Sequence, residues 1–323
     1  MKLPRTVAFA LLLGAICFAA LPAAAQEFPK SAVRLMVPFP PGGPTDVVGR
    51  ILAQKLQDIW GQPVIVDNKP GAGTVIGTDL VAKAVPDGHT IGMVITAYLI
   101  NPSLLASLPY NTANDFANVT QLVTQHVVLV ANPNVPFNTV AELIAYAKKN
   151  PGKLSYASPG TGTSAHLAGE LLKGEAGIDM VHIPYKGSGP AQADLVAGRV
   201  DLMFDVFHSA KQLIESNRLK VIALTAAQQP AGIRNYPLIA AAIPNFNVTS
   251  LFGLVVPAAT PRAIVGKIQA DTANALNSPE VKARLEALGL EVVGSTPARF
   301  DAFVKSEIGK WARVVRDNGI KAD

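Results

Sequence analysis

Short apolar runs rich in β-branched residues alternate with segments of helical periodicity along the first half of the chain. Residues 33–37, 64–66 and 90–95 are such runs, and they predict buried strands. Between the first two, apolar residues recur at helical spacing over 45–60, which predicts a helix with Thr45 as its N-cap. This alternation predicts an α/β protein with parallel sheets and crossover helices.

The same alternation continues in the second half. Further strands are predicted at 127–130, 154–157, 181–183, 200–204 and 221–224. Thr139 and Glu142 form a capping box that opens a helix, and the turn at 150–152 ends it. The remaining chain is predicted to be helical at 261–277, at 279–288 and at 297–318, the last helix with Thr296 as its N-cap.

Two apolar, extended segments, 121–132 and 248–257, are bounded by turns. If both pass between two lobes, the C-terminal helices return to the first lobe. The hydrophobic pattern allows this arrangement, and it also allows two domains in series.

Residues 1–25 have the features of a cleaved export signal. Lys2 and Arg5 are followed by an apolar stretch, 7–21, and by three alanines before Gln26. A membrane anchor is the alternative, but a spanning helix needs about 20 apolar residues, and this stretch is shorter. We expect export to the periplasm and cleavage after residue 25.

Composition narrows the possible functions. The chain has 323 residues, of which 49% are hydrophobic and 16% charged, which excludes a disordered protein. Its net charge is +5, and removal of Lys2 and Arg5 with the signal lowers it to +3. The basic residues are scattered, so no nucleic-acid partner is expected. The only cysteine, Cys17, also leaves with the signal, which excludes disulfides and cysteine-based metal sites.

Glycine-rich turns carry the candidate chemistry. The turns at 41–46, 158–165 and 186–190 each follow a predicted strand and precede a predicted helix. Free amides at a helix start attract an anion, and Thr161, Thr163 and Ser164 add hydroxyl donors. Three such turns suggest a cleft for a small anion. Each turn could also be no more than a tight connection.

Patterns for other chemistry are weak. Residues 160–165 fit a loose dinucleotide fingerprint, but Asp179 stands before the next strand, not at its end. The five histidines lack metal-binding spacing, so neither a metal nor a cofactor is expected, and there are no catalytic candidates. We expect His166 to bond locally in the first helical turn. Asp201 and Asp205 could form a carboxylate pair, although Asp205 could instead face the cleft or cap the following turn.

Several motifs together resemble one family. They are the motifs at 37–46, 68–73, 86–90, 101–104, 156–167, 184–187 and 200–205 and the tail at 311–321. In this order they resemble the substrate-binding proteins of tripartite tricarboxylate transporters, the Bug family. The resemblance covers essentially the whole mature chain.

The resemblance implies a fold and a function. The fold is a two-lobed periplasmic-binding-protein (flytrap) fold with two interlobe crossovers. Lobe 1 would comprise 26–125 and 250–323, and lobe 2 would comprise 126–249. The function is capture of a small organic carboxylate outside the cytoplasm and its delivery to membrane permease subunits, by a monomer that is not an enzyme. The alternatives are a secreted α/β enzyme and a sensory receptor for an organic acid.

The resemblance also implies a set of ligand contacts. Those in lobe 1 would be Gly43, Thr45, Asp46, Thr96 and Tyr98. Those in lobe 2 would be Ser158, Gly160, Gly162, Thr163, Ser164, Gly187 and Asp205. Tyr98 stands where the family often has a small polar residue. Its ring is therefore expected to narrow the pocket or stack on an aromatic acid, or else to face solvent at the rim.

Overall fold

The computed structural model describes residues 28–230, 233 and 236–320. The predicted signal at 1–25, with Cys17, lies outside these residues. The strands are β1 Val33–Val37, β2 Val64–Asn68, β3 Thr90–Ile95, β4 Phe116–Ala131, β5 Ser155–Ser158, β6 Val181–Pro184, β7 Leu202–Val206, β8 Lys220–Leu224, β9 Thr249–Pro257 and β10 Leu290–Val292. The helices are α1 Pro44–Trp60, α2 Val75–Ala82, α3 Ala97–Leu104, α4 Val140–Lys149, α5 Ser164–Ala176, α6 Ser188–Val196, α7 Phe207–Glu215, α8 Arg262–Asn277, α9 Pro279–Ala287 and α10 Pro297–Asp317.

The strands form a continuous sheet with the order β2-β1-β3-β9-β4-β7-β5-β6, and β8 and β10 also pair with β4. Strand β4 is 16 residues long and joins the two halves of the sheet. Its residues up to His126 pair with β9, and those from Val127 on pair with β7 and β8. The predicted strand at 127–130 is therefore the end of a much longer strand that serves both halves.

The prediction of parallel sheets is correct only at the two outer parts. β1 pairs in parallel with β2 and β3, and β5 pairs in parallel with β6 and β7. All pairings of β4 and β9 with their neighbours are antiparallel. An apolar run shows that a strand is buried but not its direction, so the sequence pattern could not reveal this reversal.

Thr225 lies where the chain passes between the halves of the sheet. Its backbone amide donates to the carbonyl of Val127, and its own carbonyl accepts from the amide of Val248. Its Oγ1 lies 3.0 Å from the Val127 carbonyl oxygen and 2.6 Å from that of Val248, and donates its proton to one at a time. The two crossing segments are thus bonded to the same buried residue.

The C-terminal helices pack on the first part of the chain. Helix α8 packs against α1 and β4, and α9 packs against α1. Helix α10 packs against α3 and β4 and reaches α5. Its Trp311 is fully buried in a core that also contains Tyr98, Tyr156 and Phe204. The last helices thus pack mainly on elements from the first part of the chain, and their assignment to the first lobe stays a prediction.

Most predicted helix starts are correct. The hydroxyls of Thr139 and Thr296 accept from the amides of Glu142 and Arg299, as expected for N-caps. The prediction of Thr45 as an N-cap is wrong. Helix α1 begins one residue earlier, at Pro44, whose ring fixes a helical φ, so that the cap position falls on Gly43.

Candidate ligand-binding site

The candidate site lies where three parallel strands of the second half end. β5, β7 and β6 end at one edge of the sheet, and α5, α6 and α7 begin there. The N-terminal amides of a helix have no partners within it, and its dipole favours negative charge at that end. This edge therefore presents positive potential from the backbone.

Residues 158–164, here termed the anion loop, are held by their own hydroxyls. Thr163 Oγ1 donates to the carbonyl of Gly160 at 2.7 Å and accepts from the amide of His166 at 3.2 Å. The buried Ser158 Oγ accepts from the amide of Gly160 at 3.3 Å. Thr163 is thus the N-cap of α5, and Ser158, at the end of β5, anchors the start of the loop.

Two histidines lie against the anion loop. His166 Nδ1 accepts from the amide of Gly162 at 3.2 Å, and His182 Nε2 lies 2.7 Å from Ser158 Oγ. The two imidazole rings are stacked, with centroids 4.1 Å apart and an interplanar angle of 16°. The ring of Tyr156 stacks on the other face of His182 at 4.8 Å. The prediction that His166 bonds locally in the first helical turn is confirmed.

Two glycines give the anion loop its shape. Gly160 has φ of +152° and Gly162 has φ of +77°, which residues with a side chain rarely adopt. The amide of Gly160 donates to Ser158 Oγ within the loop, and the amide of Gly162 donates to His166 Nδ1 in α5. Ser164 is the first residue of α5 and is 6% exposed.

The neighbouring turn is joined to the anion loop. The amide of Gly187 donates to the carbonyl of Pro159, and the next residue, Ser188, starts α6. Gly187 therefore lies next to the anion loop, at the edge of the sheet where β5, β6 and β7 end.

Asp205 lies behind these helix starts and is fully buried. Its carboxylate accepts from Ser188 Oγ, from Gln192 Nε2 and from the amide of Val206, at 2.7 to 2.8 Å. Burial raises the pKa of this carboxyl to about 6, although the three donors oppose the shift. The predicted capping of the following turn is limited to the bond from the amide of Val206, because α7 has no side-chain hydrogen bond at its N-cap. The placement of Asp205 facing the cleft stays a prediction, and its oxygens are turned to Ser188, Gln192 and Val206.

Asp201 does not form a pair with Asp205. Its carboxylate accepts from the amide and hydroxyl of Ser155, both at 2.8 Å, and so joins β7 to β5.

In the first half of the chain, Asp46 organises the turn before α1. Its carboxylate accepts from the amide of Gly42 at 2.9 Å, from Arg50 Nε at 2.8 Å and from Asn68 Nδ2 at 3.0 Å. The hydrogen bond from Arg50 is the main cause of a pKa lowered to about 2. Asp46 is 2% exposed and Thr45 is 5% exposed, so both support the turn, while the half-buried Gly43 is nearer its surface.

Tyr98 and Thr96 are turned into the protein. The Tyr98 ring is 1% exposed, packs edge-on against Phe116 and donates its hydroxyl to the carbonyl of Thr112. The predicted placement at the rim is wrong, because α3 directs the ring into the core, and the predicted contact with the ligand stays a prediction. The Thr96 hydroxyl lies 3.0 Å from Ser250 Oγ and accepts from the amide of Leu251, which ties β3 to β9.

Leu104, at the end of α3, connects the two halves at the site. A Cβ atom built on Gly162 would lie 2.9 Å from Leu104 Cδ2, so the side chain from α3 closes against the anion loop. Leu104 was not predicted at the site, because α3 contains Pro102 and its pattern does not predict a helix. His182 was not predicted there either, because its only signal is a polar residue within a short strand.

No helix in the described ranges is long and apolar enough to cross a membrane, and no cluster of three or more His, Cys, Asp or Glu residues there could hold a metal ion.

Known proteins resemble the chain over nearly its whole length. BugT of Bordetella pertussis is 35% identical, over 99% of this chain and 99% of its own. The solved structure of R. palustris Rpa4515 with adipate superposes with a TM-score of 0.79 at 32% identity, over 91% of this chain and 99% of its own. MatC from Rhodopseudomonas palustris with bound malate gives 0.76 at 31% identity, over 89% of this chain and 100% of its own.

Residues 48–320 match the family described as the tripartite tricarboxylate transporter family receptor, TctC. Solved relatives include a protein described as the periplasmic binding protein BugD. The match covers most of the described residues of both halves. The chain therefore belongs to the tripartite tricarboxylate transporter receptor family, and it is a solute-binding receptor of the Bug type with the two-lobed fold of periplasmic binding proteins.

Proposed function

We propose that this receptor binds a small organic carboxylate at the anion loop and delivers it to the membrane permease subunits of a tripartite tricarboxylate transporter. The observation that carries the proposal is the anion loop itself, in which hydroxyls and glycines precede the N-terminus of α5 at an edge where α6 and α7 also begin. Relatives solved with adipate and with malate support the same class of ligand.

The anion loop suits reversible binding. Ser164 and the first amides of α5 can donate to a carboxylate, and each hydrogen bond to a charged group contributes roughly 1.5–3 kcal/mol. The helix dipole adds about 0.3–1 kcal/mol. A few such contacts give useful affinity without a buried ion pair, so the ligand can still be released to a permease.

We assign two roles to the remaining predicted residues, which are Gly43, Thr45, Asp46, Thr96 and Gly187. Gly43 and Gly187 lie at helix starts and offer backbone contacts to the ligand. Thr45, Asp46 and Thr96 are buried, and we assign them the role of fixing the backbone that surrounds the ligand. For Tyr98, only the backbone amide in the first turn of α3 remains a candidate contact.

We further propose that the lobes meet at the crossings, with 26–125 and 250–323 in one lobe and 126–249 in the other. The change in the pairing of β4 after His126 and the start of β9 at Thr249 support these boundaries. Ligand held at the anion loop would add contacts from the first lobe and so favour a closed state.

The proposal includes no chemical step. Ser158 and His182 are at the distance of a nucleophile and its base, 2.7 Å, but Ser158 is fully buried and accepts from the amide of Gly160. Asp205 is likewise committed to helix starts. These contacts favour a structural role for each group over catalysis, and NMR of bound acid over time would detect any turnover.

The proposed setting is the periplasm, reached by cleavage after residue 25, with the receptor acting as a monomer. The match to a family of periplasmic receptors supports the location. Mass spectrometry of exported protein checks the cleavage, and light scattering checks the monomer.

A thermal-shift screen of small carboxylates, followed by calorimetry, tests the ligand class. Adipate, malate, citrate, an aromatic acid and an amino acid are the first probes. We expect at least one to raise the melting temperature of wild-type protein. If none of a broad panel of acids binds, the proposed ligand class is wrong.

A pair of variants tests the anion loop. Ser164→Asp places a negative charge at the first position of α5, where it suits the helix dipole but repels a carboxylate. Ser164→Asn is the matched control, with a similar side chain and no charge. We expect Ser164→Asp to bind at least tenfold more weakly than Ser164→Asn. Equal affinities in two folded variants would place the ligand elsewhere.

Scattering tests the closure. We expect a smaller radius of gyration at saturating ligand than without it, since contacts from both lobes favour the closed state. An identical profile at saturation would contradict closure.

A further inference from the structure

His166 and His182 form a stacked pair against the anion loop. Each ring is bonded to a different part of it, His166 to the amide of Gly162 and His182 to the hydroxyl of Ser158. Ser158 in turn accepts from the amide of Gly160. The two imidazoles therefore hold the glycines that shape the site, one directly and one through a hydroxyl.

The bond to Gly162 fixes the protonation of His166. A backbone amide can only donate, so the Nδ1 atom that accepts from it must carry no proton. A neutral His166 then carries its proton on Nε2. Protonation of Nδ1 would replace the hydrogen bond with two opposed donors and would release the amide of Gly162.

The surroundings of His166 disfavour a second proton. The ring is 5% exposed and lies in the first turn of α5, where the helix dipole opposes positive charge. Stacking at 4.1 Å also makes it unfavourable for both rings to be charged.

Tyr156 of β5, whose ring stacks on His182, connects the pair to titratable groups of α5. Tyr156 donates its hydroxyl to Glu170 Oε1 at 2.6 Å, and Lys173 donates to both oxygens of Glu170. Glu170 is therefore engaged by Tyr156 and Lys173. Gly162 itself lies against the apolar Leu104 of α3.

We propose that His166 is a positioning residue for the ligand, which holds the anion loop in its binding geometry only while Nδ1 is unprotonated. The inference rests on the proposed function, in which the anion loop binds a carboxylate. It predicts that ligand affinity falls as the solution becomes acidic enough to protonate His166.

Two variants separate the parts of this role. His166→Phe keeps a flat ring on His182 but removes the acceptor for Gly162. His166→Asn keeps an acceptor near the position of Nδ1, and this acceptor does not titrate in the same range. Neither variant changes the hydroxyls or glycines of the loop.

NMR of ligand-free protein labelled with ¹⁵N-histidine tests the geometry without any ligand. We expect His166 to be neutral with its proton on Nε2 near neutral pH. We also expect the amide of Gly162 to exchange faster with solvent in His166→Phe than in wild type or His166→Asn. A proton on Nδ1, or unchanged exchange in His166→Phe, would overturn the inference.

Calorimetry with adipate and malate from about pH 8 to about pH 5.5 tests the effect on binding, because histidine titrates in this range. We expect wild-type affinity to fall by up to about tenfold per pH unit below the pKa of His166. The affinity of His166→Asn should change with pH only through ionisation of the acid itself. This smaller change is subtracted from the change seen in wild type. His166→Phe should bind about tenfold more weakly than wild type near pH 8, where wild-type His166 is neutral, and the two affinities should converge as His166 becomes protonated.

The outcomes distinguish the two proposals. If wild-type protein binds neither acid, the ligand proposal fails for both, and the NMR measurement alone decides the role of His166. If wild type binds and His166→Phe binds as tightly as His166→Asn near pH 8, the ligand proposal stands and the positioning role of His166 is wrong.

Discussion

Two buried aspartates near the candidate site, Asp46 and Asp205, stabilise a turn and the start of helices by accepting hydrogen bonds. Asp46 and Asp205 are both buried, and each accepts three hydrogen bonds from nearby groups. Their pKa values move in opposite directions, because Arg50 stabilises the charge of Asp46 while Asp205 is removed from water without a cation. A ligand carboxylate would therefore meet amides and hydroxyls and not these acids.

Asp46→Asn should destabilise the protein by about 2 kcal/mol near neutral pH, because donors that faced a carboxylate lose a charged partner. The folded pKa of Asp46 is lowered to about 2, so its stabilisation is present above the unfolded value of 3.8 and is lost as pH falls towards 2. Urea unfolding at neutral and acid pH measures this. Asp58→Asn, exposed on the same helix, is the control, and equal effects of the two changes would contradict the prediction.

Asp205→Asn should reveal the opposite dependence on pH. The folded pKa of Asp205 is raised to about 6 from 3.8, so wild-type stability falls as pH rises between these values. The variant lacks this titration. Its stability relative to wild type should therefore rise by up to about 3 kcal/mol between about pH 4 and pH 7. Chemical denaturation across this range measures the difference, and a constant difference would contradict the assignment.

At the scale of elements, helix starts and glycine turns could be predicted well from the sequence. Caps such as Thr139 and Thr296 depend on residues within one turn, so local sequence contains their cause. Helix α3 and strand β10 were missed for a different reason. α3 contains Pro102, and β10 is three residues long and exists because it pairs with β4.

Helix α5 approaches β5 closely at Gly169. A Cβ atom there would lie under 3.0 Å from the ring of Tyr156, which stacks on His182. Gly169→Ala should therefore destabilise the protein by about 1–3 kcal/mol, although alanine favours a helix. Thermal or urea unfolding measures the effect.

Gly309→Ala is the matched control. Gly309 lies within α10, and a Cβ atom there would meet no other atom within 4 Å. This variant should gain roughly 0.5–1 kcal/mol from helix propensity. If both variants were stabilised, the packing of α5 on Tyr156 would be looser than the structure indicates.

At the scale of the whole molecule, one long strand and one buried threonine join the two halves. β4 pairs with strands of both, and Thr225 bonds to the two crossing segments. The C-terminal helices add to this connection, since α10 contacts both α3 and α5. The proposed closure would therefore have to preserve or rearrange these hydrogen-bonded connections.

Thr225→Val keeps the shape of the side chain and removes the hydroxyl that bonds to Val127 and Val248. We expect a loss of about 1–2 kcal/mol in stability, because buried carbonyls lose a donor. Since the crossing is less constrained, the ligand-dependent change in radius of gyration should also differ from that of wild type. Unfolding and X-ray scattering measure the two effects. Thr225→Ser keeps the hydroxyl and should stay close to wild type in scattering.

The sequence by itself determined the α/β class, most strands and helices, the glycine-rich loops and the family. These depend on local periodicity, on caps and on motifs that each span a few residues. Only the tertiary structure decided that β4 and β9 run antiparallel to their neighbours, that Tyr98 is buried, and that Leu104 and His182 contact the anion loop. These depend on pairings between residues distant in the chain, and local sequence does not show which distant group will satisfy a buried atom.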